Sequence, residues 1–196
     1  MPINRNHTEK VNSWIDQAVT TAKEKGWHDT YHSDEHFLAL IVSELCEAMQ
    51  ADRNNRYALP FAGTFVKQNI EFQSNFVKAF ELTIKDTFED ELSDTIIRCC
   101  DFLGLKRDSY KGDTNYEQNN FKLIYLRPSF TEFPEFAYAC IRFLTDESHP
   151  AVFRVACMIS IIIDYCNENS IDIDKYIELK MSFNPTRPYR HGGKKY

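Results

Sequence analysis

Apolar residues at Val11, Trp14, Ile15, Ala18, Val19 and Ala22 recur every three or four positions and so share one face of a helix. The pattern ends near Gly26, which can take the left-handed conformation that closes helices. A loop from Trp27 to Asp34 follows. Ser33 or Asp34 is placed to cap the next helix, whose apolar run from Phe37 to Met49 continues helically to about Arg53. Asn54, Asn55, Pro60 and Gly63 then turn the chain, and Phe65 to Ile84 reads as a further, weaker helix. Asp86 or Thr87 can cap a third strong helix with apolar positions Phe88, Leu92, Ile96, Cys99 and Leu103, which Gly104 is expected to stop.

Residues 106–130 are polar and irregular, with one short apolar piece at Phe121 to Leu126 that fits strand or helix, and are read as a loop. Glu132 to Leu144 has a helical pattern. Ser148, with Pro150 at a first helical position, opens a helix through Tyr165, and Asp172 to Met181 forms the last one. Alternation of the strand type is scarce and no repeat is present. The chain is therefore expected to be a single all-α domain over residues 1–196, a bundle of five to seven helices.

Composition narrows what such a bundle does. With 29 acidic against 23 basic residues the formal charge is −6, which repels a nucleic-acid backbone or an anionic membrane surface, so no polymeric nucleic acid is expected as a partner. The bases are uneven: from Lys180 to Lys195 the tail carries Lys180, Arg187, Arg190, Lys194 and Lys195 with no acid among them. Six cysteines without CxxC spacing read as buried thiols of a reducing cytoplasm. The first ten residues lack the apolar core of a signal peptide, and the longest apolar run, Ala151 to Cys166, contains Arg154 and Asp164 and is too short for a bilayer. Neither membrane nor secretion is expected.

Candidate chemistry lies in carboxylates on apolar faces. Glu44 has Leu40 and Ala48 four residues away on either side and Ile41 three before it, so it falls within the face that should be buried. Glu47 shares the edge of that face. The later helix repeats the spacing with Glu91 and Asp94, Glu91 being bordered by Phe88, Thr95 and Phe102. Unpaired buried carboxylates cost several kcal/mol each, so a cation is expected between the two helices. Four oxygen ligands suit Mg²⁺ or Mn²⁺. Two solvated acid pairs are the plainer alternative. A di-iron bundle would need Glu-x-x-His, and no glutamate here has histidine three residues on.

The runs Ser43-Glu-Leu-Cys-Glu-Ala48 and Glu91-Leu-Ser-Asp94 resemble the ExxE…ExxD signature of the MazG-like all-α nucleoside triphosphate pyrophosphohydrolases. The Gly26-Trp27 turn is similar as well, and so is the tail, where Lys180, Asn184, Arg187 and His191-Gly-Gly-Lys194 match a Lys…Asn…Arg…GK pattern. The match covers about residues 8–53, 86–104 and 172–195. Against it stand the 43 residues between Glu47 and Glu91, longer than the family's linker, and the segment 106–170, which has no family counterpart. Residues 54–85 are read as an insertion.

The helices of Glu44 and Glu91 are expected to pack antiparallel with their acids converging. The resemblance implies a helical bundle, a homo-oligomer (dimer or tetramer), and Mg²⁺-dependent hydrolysis of a nucleoside triphosphate to monophosphate and pyrophosphate. Glu44, Glu47, Glu91 and Asp94 would hold the metal, with Glu47 also positioned as base. Lys180, Asn184, Arg187 and Lys194 would bind phosphate. Arg98, four residues after Asp94, is a phosphate ligand or a salt-bridge partner. Trp27, with His28 and His32 nearby, stacks on the base or closes the helix hairpin. His7 and His36 read as surface residues and His149 as part of a helix cap. A non-catalytic nucleotide-binding module, or hydrolysis of another phosphorylated metabolite such as a histidine-pathway intermediate, are the alternatives.

Overall fold

The computed structural model describes residues 5–68, 73–109, 130 and 132–195, and among these every regular element is helical. The principal helices are α1 (Arg5–Glu24), α2 (Asp34–Arg53), α3 (Ala62–Gln68), α4 (Gln73–Thr83), α5 (Phe88–Ser109), α6 (Phe133–Leu144), α7 (Ala151–Glu168) and α8 (Ile173–Phe183). A 3₁₀ turn (Asn184–Thr186) and a last short turn (Arg190–Gly193) finish the chain. None of the described helices is long and apolar enough to cross a membrane.

The centre of the bundle is α5, which packs against α1, α2, α7 and α8. A helix enclosed on every side must have no polar stripe left unanswered. Leu92, Ile96, Cys99, Cys100 and Leu103 are fully buried, and so are Ser93 and Thr95. The two hydroxyls donate back to the carbonyls of Glu89 at 2.7 Å and Glu91 at 2.9 Å, so neither lacks a partner. Thr87 caps the helix, accepting from the Asp90 N–H at 3.4 Å.

Helices α2 and α5 run antiparallel. Asp34 pairs with Lys106, the rings of Phe37 and Phe102 lie 6.0 Å apart, and Glu44 accepts from Arg98 at 2.9 Å. Residue numbers fall on one helix as they rise on the other. The same order links Asp16 to Arg107 and Val19 to Gly104.

A second apolar cluster forms the outer layer. Phe76, Ala79 and Phe80 of α4, with Ala62 and Val66 of α3, bury Tyr176, Leu179 and Phe183 of α8. Phe80 stacks on Phe183 at 4.4 Å. Helices α3 and α4 therefore cover the outside of α8 and hold its other face against α5.

Several sequence expectations are corrected. The weak helix expected over Phe65 to Ile84 is two helices, α3 and α4, with 69–72 outside the described residues. Pro150 is the N-cap of α7 and not a helical position. The helix of Glu91 does not stop at Gly104 but runs to Ser109, so the start of the expected 106–130 loop is helical. Phe121 to Leu126 lies outside the described residues. Of the six cysteines, none forms a disulfide and only Cys46 is exposed.

Gly104 permits the close approach of α1: a Cβ there would lie 2.8 Å from the Val19 Cβ and 3.0 Å from its Cγ1. Val19 is β-branched and stiff, so α1 must retreat to admit a methyl group. Replacing a helix-interior glycine by alanine ordinarily stabilises by about 1 kcal/mol. Gly104→Ala is expected to lower stability by about 1–2 kcal/mol instead, read as an earlier denaturant midpoint at unchanged slope.

Candidate metal and phosphate site

Antiparallel packing brings Glu44 of α2 opposite Glu91 and Asp94 of α5. One carboxylate oxygen from each lies within 4.8 Å of the other two. Glu44 and Glu91 are buried, at 8% and 5% exposure, because each stands on the face that its helix packs inward. Glu47, one turn on from Glu44, is exposed and accepts from Ser43 Oγ at 3.3 Å.

Two cations enter the cluster from the protein. Arg98 donates from Nε to Glu44. Lys180 of α8 is buried and places Nζ 2.7 Å from Asp94 and 2.8 Å from both oxygens of Asp90. Burial works against both cations, but Glu44 for Arg98, and Asp94 and Asp90 for Lys180, hold their pKa values above the ordinary range.

The acids remain under-compensated. Burial, and then the Asp94 charge, push Glu44 up to about 7 despite Arg98. Burial, with Asp94 and Asp90 nearby, pushes Glu91 up to about 8. Asp90 is raised to about 6 by burial against the opposing pull of Lys180. Converging oxygen donors, of which Glu44 and Glu91 hold raised pKa values, fit a hard divalent cation in place of protons. The residues that could hold it are Glu44, Glu91 and Asp94, with Glu47 at the rim.

A cavity of about 450 Å³ opens onto this cluster. Its walls include Trp27, Glu44, Glu47, Glu91, Asp94, Arg98, Lys180, Asn184, Arg187 and Lys194. All ten residues given metal or substrate roles from the sequence thus border one space. A larger, more open cavity of about 990 Å³ beside Tyr57, Glu89 and Tyr165 borders none of the three clustered carboxylates, so the smaller one is the better candidate.

The tail reaches the cavity because it is strapped to the turn after α1. Lys25 Nζ donates to the carbonyls of Pro185 at 2.7 Å and Arg187 at 2.6 Å, and Arg190 N–H donates to the Lys25 carbonyl at 3.0 Å. Gly26, at φ +76°, leaves room where Tyr189 packs; a Cβ would lie 2.2 Å from that ring. His191 then meets Trp27 edge to face at 5.1 Å. Burial, helped by Arg187 and Lys194, lowers its imidazole to about 3, so it is neutral at pH 7. Arg187 is half-buried with its pKa lowered by burial, and among the described residues neither it nor Lys194 pairs with a carboxylate.

Histidines outside the cavity have other partners. His28 lies with Nε2 3.0 Å from Asp101 Oδ1, and His32 stacks on His36 at 4.0 Å. His149 accepts or donates at 2.9 Å with Ser148 Oγ beside the start of α7. Sequence reasoning missed Asp90 and Lys85, named Asp86 only as a candidate cap, and named His191 only within the tail match. Asp90 stands four residues before Asp94 and so on its face, but Thr87-Phe-Glu-Asp90 also reads as a helix cap, which hides a second role.

Comparison with models of known protein families, with curated proteins and with solved structures gives no match to this chain.

The raised carboxyls set a pH dependence. A folded state that binds protons more tightly than the unfolded chain is fully favoured below the ordinary carboxylate range and loses that advantage as pH rises through the folded values. With Glu44 at about 7 and Glu91 at about 8, the chelated protein is expected to lose stability from about pH 5 to pH 8. Each kcal/mol lost lowers the melting temperature by roughly 2–4 °C in a chain of this size. Mg²⁺ should remove much of the slope, and Glu91→Gln should flatten it without metal. Melting curves over that range, with and without Mg²⁺, read both effects.

Proposed function

We propose that the protein is a magnesium-dependent nucleoside triphosphate pyrophosphohydrolase, releasing pyrophosphate and a nucleoside monophosphate. The observation that carries the reading is that Glu44, Glu91 and Asp94 converge within 4.8 Å inside a cavity that also collects the half-buried Arg187 and the exposed Lys194. Acids alone would suit a structural cluster. Acids facing unpaired cations across a cavity suit a substrate that carries both a metal and several anionic oxygens.

When bound, a divalent cation supplies charge neutralisation at the phosphates and polarises water. Arg187 and Lys194 approach from the tail, opposite α5, and can hold the terminal phosphates as pyrophosphate departs. Glu47, exposed at the rim and not committed to an ion pair, is placed to take a proton from the attacking water. Trp27 offers an aromatic surface at the end of the cavity nearest His191, suited to the base. Residence in the cytoplasm and assembly into a dimer or tetramer belong to the same reading; the exposed Leu59 and Phe61 offer apolar surface for assembly.

A second reading has an observation of its own. Arg98 on Glu44 and Lys180 on Asp94 give two of the three acids a protein counter-charge, as a nucleotide-binding module without turnover would need. The two separate on one assay. With a panel of nucleoside triphosphates and Mg²⁺, monophosphate and pyrophosphate in equal amounts are expected, and Glu44→Gln or Asp94→Asn should reduce the rate at least about 10²-fold while leaving the protein folded. Nucleotide-dependent thermal stabilisation without product would favour the module, and retained activity in both variants would remove these residues from the chemistry.

A further inference from the structure

Next to the three clustered acids stands a second group, Asp86, Asp90 and Glu91, whose oxygens also approach within 4.8 Å. Glu91 belongs to both groups, so the pair looks like a centre for two divalent cations sharing one ligand. The second position is already served. Both oxygens of Asp90 receive Lys180 Nζ at 2.8 Å, and Oδ2 also accepts from the Asp86 N–H at 2.9 Å. The same ammonium lies 2.7 Å from Asp94.

An ammonium has three N–H donors and no acceptor. The Lys180 Nζ is held between Asp90 and Asp94 and does not stand free in the cavity. Nor can the side chain swing away. Lys180 is 4% exposed, its Nζ lies over the Phe80 ring at 5.6 Å, and α8 is fixed on both sides by core residues such as Ile177 and Leu179. Moving it would leave Asp90, 1% exposed, as a buried charge without its partner.

We propose that the Lys180 ammonium, anchored by Asp90, stands in for a second divalent cation beside Glu91 and Asp94, so that the centre takes one divalent ion and one fixed ammonium. Asp90 is then a positioning residue: it acts on substrate only by holding Lys180. Lys180 is committed to Asp90 and Asp94, and Arg187 and Lys194 remain as the phosphate ligands. The inference rests on the metal reading above and fails separately from it.

The test counts Mn²⁺ bound per chain by electron paramagnetic resonance, taking as ions of this centre those lost in Glu91→Gln. One ion is expected in the wild-type protein and two in Lys180→Met, where Asp90 and Asp94 are freed. The double variant Asp90→Asn/Lys180→Met, which removes both buried charges together, should fold and return to one. A wild-type count of two overturns the proposal and leaves the metal reading standing, whether or not Lys180→Met folds. A count of one in folded Lys180→Met, or two in the double variant, also overturns it. No ion lost from the wild type on replacing Glu91 removes the metal reading itself and this inference with it.

Discussion

Three carboxylates held within 4.8 Å of one another between packed helices repel each other, and the bundle around them is arranged to answer that repulsion. Arg98 answers on the side of Glu44 and Lys180 on the side of Asp94. Glu91, between them, has no comparable partner, and burial with Asp94 and Asp90 nearby pushes it up to about 8. A divalent cation would complete the compensation, and the remaining positive groups of the cavity then face an anion.

Each layer of the fold contributes to that balance. The antiparallel pair α2 and α5 sets the carboxylates opposite one another, and the shared core of Ile41, Leu45, Leu92 and Ile96 fixes their register. The α3–α4 segment does not line the acid cluster, yet by burying the outer face of α8 it holds Lys180 inward, with Phe80 beneath the ammonium. The strap from Asn184 to Lys194 crosses to the turn after α1 and carries Arg187, His191 and Lys194 to the open side. Residues at positive φ in that strap, Arg190 and His191 among them, are the kind of backbone strain that persists where surrounding contacts over-determine it.

Much of this was legible in the sequence because helix faces have a simple period. Glu44 flanked by Leu40, Ile41 and Ala48 could only be buried if the helix was, and the same rule found Glu91. The ten residues given metal or substrate roles from the sequence border one cavity because the two acid-bearing helices and the tail converge there. What the period could not give was pairing. That Lys180 would be held between Asp90 and Asp94, or that Arg98 would reach across to Glu44, depends on how α8 and α2 lie against α5. Gly104 was misread for a related reason: a glycine that ends one helix and a glycine that admits a neighbour look alike in one dimension.

The central claim is that Glu44, Glu91 and Asp94 together hold a divalent cation. Crystals soaked in Mn²⁺ and measured for anomalous scattering test it most directly. A peak is expected between α2 and α5, about 2.1 Å from an oxygen of each of the three carboxylates. A well-ordered cluster without a peak, or manganese found only at exposed acids such as Glu47 or Asp86, would contradict it.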